Sequence, residues 1–510
     1  MTLAWVVLLP LLTAALLVFA PARWSRALAW LGVAAQLALA LGVVAAFDPS
    51  APGYQLVERR AWMPQLGVAW QLGVDGISVL LPALVALQTG VLVAYSASPF
   101  VDRPRAWLAW GMVMAGLVNG LALALDLVLF FVFWELTLVP VHALLAGWGG
   151  GPDRRYAAAR YTITMLAGGA PLLLGLLVLA TAGDGVQTDM VALLALPVPM
   201  EVQLVAGGLL LAGLAFKLPV VPLHTWLPWT LTEGPAAVGT WMVGLKLGLL
   251  GVLRLVLPLT PDVLVRTGPL LGVLGLVGLL HGAFVALEQR GLRRIIAFLS
   301  VSHVGLVLLG LSSATVEGLQ GAVLQLITFG LSGPLLVLLS AMLIERLGTT
   351  DTDALGGLGT VMPRWTALLV LSVLAGIGAP GTSGFVAELL LLVGTFFVHP
   401  GLAVLASCGL VVGVAALVVW VAAACGGPVV RPAVAQVEDL SSREVGLVLP
   451  LLLVCVLVGL APGPVLQLSE GAVEGLLGRR VAQGGADDTV AVRGVDRADG
   501  ADGHGPGGQR

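Results

Sequence analysis

Apolar residues run along this chain in blocks of about twenty, not in the alternation of a half-buried strand or the one-sided stripe of a surface helix. A helix rises 1.5 Å per residue, so about 20 apolar residues cross the ~30 Å hydrocarbon layer of a bilayer. Such blocks lie near residues 3–20, 28–47, 77–95, 157–182, 202–231, 235–257, 270–287, 295–311, 319–344, 365–397, 402–424 and 446–460. A further block, 106–148, is too long for one helix; it carries Asp126 near its middle and divides there into a hairpin. The expectation is an all-α polytopic membrane protein of about fourteen transmembrane helices. The first block lacks a basic start and a small-residue cleavage site, so it reads as an anchor and not a removable signal. From about Gly478 the chain turns to Gly, Asp and Arg, the composition of a disordered tail.

Composition agrees with this pattern. Among 510 residues, 58% are hydrophobic and only 10% charged, whereas a soluble domain carries about a quarter charged residues. The net charge of −3 shows no basic excess for nucleic acid. Cys408, Cys425 and Cys455 are scattered in apolar blocks, which suits neither a disulfide framework nor a thiolate metal site.

Arginines alternate between connecting segments. With the N-terminus outside, the inner segments hold Arg23, Arg26, Arg103, Arg105, Arg154, Arg155, Arg160, Arg290, Arg293, Arg294, Arg346, Arg364, Arg431 and Arg443. The outer segments and helix ends hold Arg59, Arg60, Arg254 and Arg266. Fourteen against four is a positive-inside signal that puts both termini outside, on the periplasmic side if the membrane is a bacterial inner membrane.

The lysines change the picture from scaffold to chemistry. Lys217 and Lys246 are the only two, and both fall inside apolar blocks. Arginine does not release its proton in a protein, whereas lysine can. Snorkelling to the interface is the competing reading, but Lys217 lies about fifteen residues into its block and Lys246 about eleven. Intramembrane ionisable residues mark ion pathways. Glu135 in "FFVFWELTLVP" and Glu388 in "GTSGFVAELLLL" are embedded in the same way. His303 in "FLSVSHVG" can relay protons, since imidazole titrates near neutrality. His224 in "VVPLHTWLP" can do so too, but beside two prolines a hydrogen-bonded structural role is favoured. For Asp126 a helix N-cap is favoured over a relay. Glu233 and Glu288 read as interfacial.

Two long blocks are interrupted by Pro and Gly: "AFKLPVVPLHTWLP", with Lys217 at the break, and "GIGAPGTSGFVAEL", with Glu388 just after it. Paired interruptions point to inverted-repeat transporters with broken helices around a midplane site. The residues therefore read as an ion-translocating bundle with a Glu–Lys–Lys–His–Glu series. The ion is a proton in preference to sodium, because the series offers ammonium and imidazole groups where a hard cation needs oxygen ligands.

The stretches "GYQLVERRAWMPQLGVAWQLGVDGISVLL", "FFVFWELTLVP", "FKLPVVPLHTWLP", "LRRIIAFLSVSHVGLVLLG" and "GIGAPGTSGFVAELLLL" resemble the antiporter-like subunits of respiratory complex I. The resemblance is to the family of chain M of bacterial NADH–quinone oxidoreductase and mitochondrial NADH dehydrogenase subunit 4, and it covers about residues 50–470. It implies two inverted five-helix repeats, with helices 7 and 12 broken, and a division into 1–105 (helices 1–3), 106–258 (first repeat), 259–425 (second repeat), 426–477 (helix 14) and 478–510 (tail). It further implies that Glu135 pairs with Lys217, and that Lys246, His303 and Glu388 complete a proton route. Function would be proton translocation coupled to quinone reduction elsewhere. No cofactor is expected in this chain; NADH, FMN, iron–sulfur clusters and quinone belong to partner subunits, among them paralogous antiporter-like chains. A multi-subunit cation/proton antiporter, a membrane-bound hydrogenase, an inorganic-carbon uptake complex and a structural subunit that does not pump are the alternatives. The chain departs from the family pattern in several places. Trp229 stands at an acidic position and Leu231 at a histidine; the segment Pro228 to Lys246 is about two residues short; Phe329 replaces a histidine, and "VAAACGG" replaces a polar pair.

Overall fold

A computed structural model describes residues 2–429 and 431–483 of the chain. Within them the protein is a bundle of helices, and ten are long and apolar enough to cross a membrane. They range from Met200–Lys217 to Val316–Leu347. Five shorter apolar helices accompany them: Ala4–Phe19, Leu81–Tyr95, Leu247–Leu259, Pro363–Gly376 and Ser383–Val398. The division at Asp126 separates Pro104–Leu123 from Leu127–Leu136, which Thr137 links to Leu138–Trp148.

Burial sorts these helices into centre and periphery. Leu292–Ser313 and Val316–Leu347 are 94% buried over their most apolar windows, whereas Ala22–Ala46 and Pro400–Cys425 are 33% buried there. The outward faces carry Leu, Val, Phe and Trp, which suits contact with lipid and not water. At the centre, backbones come close because side chains are small. A Cβ added to Gly305 would lie 2.4 Å from the carbonyl oxygen of Gly275, so Leu292–Ser313 and Pro261–Leu287 pack almost backbone to backbone there.

Three features differ from the hydrophobic pattern. First, a two-stranded antiparallel hairpin, Gln55–Met63 with Val68–Val74, stands in a segment expected to join helices. Its Glu58 accepts the backbone N–H of Leu3, and Gln71 donates to Asp189 at 3.0 Å, so it ties several helix ends together. Second, the block 235–257 is not one helix. Ala236–Gly244 ends, Leu245 and Lys246 are non-helical, Leu247–Gly251 resumes, and Val252–Val256 is a π-helical turn. Third, Gly463–Gln483 is a further helix, and the tail expected from Gly478 falls from residue 484 onward outside the described residues.

Candidate functional site

Both lysines inside the bundle sit where helices stop. Pro219 and Pro222 lack the N–H that would continue the helix Met200–Lys217, so Lys217 is its last residue. The freed carbonyl of Phe216 accepts a hydrogen bond from Trp226 Nε1 at 2.9 Å. Lys217 reaches sideways to the end of Leu127–Leu136, where C=O groups also lack helical partners. Its ammonium donates to the Trp134 carbonyl and to Thr137 Oγ1, both at 3.0 Å, and lies 3.9 Å above the Trp134 ring. A cation at a helix C-terminus is favoured by the dipole.

Glu135 lies between those two partners in sequence, but its carboxylate points elsewhere. Both oxygens are buried, without a hydrogen-bond partner among the described residues. Oε1 lies against Gly169, where an added Cβ would come within 2.3 Å. The expected direct Glu135–Lys217 pair is absent from the ion pairs of the described residues. The helix end places Lys217 on the backbone and hydroxyl flanking Glu135, not on its carboxylate.

Lys246 is only 1% exposed and occupies the break after Ala236–Gly244. Its Nζ donates to Ser300 Oγ and lies 5.2 Å from the centre of the Phe329 ring. His303 is one turn further along the Ser300 helix. Its Nε2 is 3.3 Å from Glu388 Oε1, and its ring is 6.1 Å from Phe329, edge to face. Glu388 follows the break between Pro363–Gly376 and Ser383–Val398, where Gly378 and Gly381 take φ of +64° and +90°. A Cβ on Gly378 would lie 2.5 Å from Glu388 Oε2, so this residue must be glycine for both conformation and space. A cavity of about 20 Å³ beside His303, Ser302 and Glu388 has room for about one water.

His303 and Glu388 are therefore in direct contact, Phe329 lies beside both Lys246 and His303, and Lys217 and Glu135 are neighbours without a bond. Asp126 is a helix N-cap: Oδ1 accepts from the N–H groups of Val128 and Leu129, and Oδ2 from Thr188 Oγ1 and Ala69 N–H. His224 is buried, with Nε2 3.3 Å from Nε2 of His281. Glu233, expected at the interface, is 8% exposed and accepts the Asp153 N–H at 3.1 Å.

Arg254, counted among outer helix ends in the sequence, is 1% exposed in the π-helical turn. It donates to the carbonyls of Ala122 and Gly73 and faces Asp75 at 4.0 Å. Only the isolation of Asp75 in "QLGVDGIS" hinted at a buried partner. Arg293 is likewise buried, donating to the Gly234 carbonyl at 2.7 Å. These arginines donate to carbonyls at the end of a helix, in the hairpin and in a helix–helix link, which need donors inside the membrane.

A series of ammonium, imidazole and carboxylate groups inside the bundle can hold and pass protons. A sequence profile described as NADH:quinone oxidoreductase/Mrp antiporter, TM, matches residues 124–413, the region that carries the whole series. The chain belongs to this family. Within the family it is 38% identical over 478 residues to NAD(P)H-quinone oxidoreductase chain 4 1 of Synechococcus sp. (strain JA-3-3Ab), with 89% of each chain covered. It is 36% identical over 395 residues to the chain 4 1 of Nostoc sp. (strain PCC 7120 / SAG 25.82 / UTEX 2576), covering 76% of this chain and 73% of that one. Among solved structures it resembles a chain of respiratory complex I from Thermus thermophilus with bound NADH, at 29% identity and a TM-score of 0.84, over 95% of this chain and 100% of that one. A chain of the Mrp complex from Dietzia sp. DQ12-45-1b shares the fold, with a TM-score of 0.83 at 23% identity over 93% of this chain and 97% of that one. The antiporter-like membrane fold is thus common to the oxidoreductase and Mrp branches of the family.

Proposed function

We propose that this chain is a chain 4-type, proton-translocating membrane-arm subunit of a quinone-reducing complex in a bacterial membrane. The observation that carries the reading is the run of Glu135, Lys217, Lys246, His303 and Glu388 inside the bundle, with Lys217 and Lys246 at helix breaks and His303 on the unbroken helix Leu292–Ser313 in contact with Glu388. The likeness to NAD(P)H-quinone oxidoreductase chain 4 supports the choice of complex. Electron transfer, with NADH, FMN, iron–sulfur clusters and quinone, belongs to partner chains. Paralogous antiporter-like chains are its membrane neighbours. The breaks at Lys217 and Glu388 are corresponding positions of two inverted five-helix repeats, residues 106–258 and 259–425, with 1–105 and 426–477 flanking them.

An uncompensated charge in a low-dielectric interior is costly, so the protonation state of one group biases that of the next. Lys217 held at the end of the Glu135 helix leaves Lys246 free to accept a proton. When that contact opens, the balance along the series changes, and the proton moves toward His303 and Glu388. Arginine keeps the charge at position 246 but cannot release it. Lys246→Arg is therefore expected to leave the complex assembled and to lower the protons translocated per electron in proteoliposomes. Wild-type stoichiometry in this variant would remove Lys246 from the route.

One observation favours a second reading. Phe329, which carries no exchangeable proton, packs beside both Lys246 and His303. A subunit interrupted there would fill its place without pumping. Unchanged stoichiometry in Lys246→Arg is the outcome that favours it.

A further inference from the structure

His281 lies in the apolar block "LVGLLHGAF", and no part of the series above uses it. It projects from Pro261–Leu287 six residues before that helix ends, about 9 Å along the axis. There it meets His224, in the break that follows Lys217. The Nε2 atoms are 3.3 Å apart, and the ring centres 5.0 Å apart at 70°. Phe298 packs edge-on against both rings, at 6.3 and 6.5 Å. His224 Nδ1 is buried without a partner among the described residues.

A contact between two Nε2 atoms admits only one proton. One ring donates an N–H, and the other is bare at Nε2 and carries its proton on Nδ1. Each ring thus presents its Nδ1 as the free end of a two-imidazole chain. We propose that His281 and His224 form a proton relay that feeds the central series. A proton arrives at Nδ1 of the half-buried His281, and the Nε2 proton of His281 crosses to Nε2 of His224. The Nδ1 proton of His224 then departs into the bundle. One proton enters and one leaves, both rings end neutral, and the tautomers are exchanged; each ring regains its starting tautomer by giving up a proton at one nitrogen and taking one from water at the other before the next transfer. The segment Phe298–His303 of the helix Leu292–Ser313 links this relay to the rest. Phe298 wedges the two imidazoles, Ser300 holds Lys246, Ser302 donates to the Leu279 carbonyl at 3.0 Å, and His303 holds Glu388. His281 stands nearest the basic segment Arg290–Arg294, the side from which the proton would enter.

This inference rests on the pumping function proposed above. Its test uses the assembled quinone-reducing complex in proteoliposomes, with protons per electron measured beside Lys246→Arg. His281→Gln keeps a side chain that donates and accepts hydrogen bonds but cannot shuttle a proton. The relay requires His281→Gln to lower the stoichiometry to the Lys246→Arg level, with the complement of chains intact. Wild-type stoichiometry in His281→Gln, with Lys246→Arg still impaired, overturns the relay and leaves the pumping function standing. If both variants pump normally, the pumping function itself falls. Should His281→Gln fail to assemble, His281→Asn carries the same comparison. A second measurement compares His224→Gln with the His224→Gln/His281→Gln double variant. Two rings in one relay give no further loss in the double variant, and a second loss of equal size overturns the relay.

Discussion

At the scale of single residues, the charges inside the bundle differ in how they are partnered. Asp126 uses both carboxylate oxygens on backbone and hydroxyl donors, which makes it a fastener. Lys217 uses a carbonyl, a hydroxyl and an aromatic face, and leaves the Glu135 carboxylate unbonded. Removing Lys217 strips Trp134 and Thr137 of a donor and leaves Glu135 facing no cation. Removing both charges cancels part of that cost. We expect Lys217→Met and Glu135→Gln to be non-additive in the thermal stability of the purified complex. The coupling should be about 0.5–3 kcal/mol, as for groups that share partners. Strict additivity would show that the two charges do not communicate across the helix end.

At the scale of elements, the helix breaks set the geometry of the site, and they are of two sorts. The breaks after Lys217 and before Glu388 are written in Pro and Gly. The break at Lys246 has no proline, and the residues around it, "MVGLKLGLL", pass for a continuous helix. There the tertiary environment overrides propensity: Lys246 turns to Ser300, and the π-helical turn that follows puts Arg254 on the carbonyls of Gly73 and Ala122. The glycines before Glu388 allow a controlled comparison. Gly378→Ala and Gly381→Ala both put a Cβ on a left-handed residue, at a cost of about 1–2 kcal/mol each. At Gly378 the new methyl also meets the Glu388 carboxylate, whereas at Gly381 its nearest neighbour is Leu460 at 3.7 Å. Both variants should lower the melting temperature of the complex, but only Gly378→Ala should impair proton translocation. Equal impairment in both would show that crowding of Glu388 is not the cause.

At the scale of the whole molecule, the charged series runs through the bundle past the central helix Leu292–Ser313, and the outer faces meet lipid, so the side of the membrane each connection meets decides where protons enter and leave. The arginine bias predicts both termini outside, although Arg254 and Arg293 are buried and do not report on sidedness. With Cys408, Cys425 and Cys455 replaced, Gly485→Cys should react with an impermeant thiol reagent in intact cells, and Arg155→Cys only after lysis. The reverse pattern would invert the topology. What the sequence determined by itself is what depends on local composition. Blocks of apolar residues dictate membrane helices, Pro and Gly dictate two of the breaks, and two lysines in hydrocarbon single out the site. The tertiary structure alone decided which charges touch: His303 with Glu388, Lys246 with Ser300, Arg254 facing Asp75, and His224 with His281, while Glu135 and Lys217 stop short of a bond. It also decided the β-hairpin, whose strands pair with each other and brace distant helix ends. These contacts join residues far apart along the chain. A side chain's partner in hydrocarbon is chosen by which unsatisfied group the packing brings within reach, and no local pattern encodes that distance.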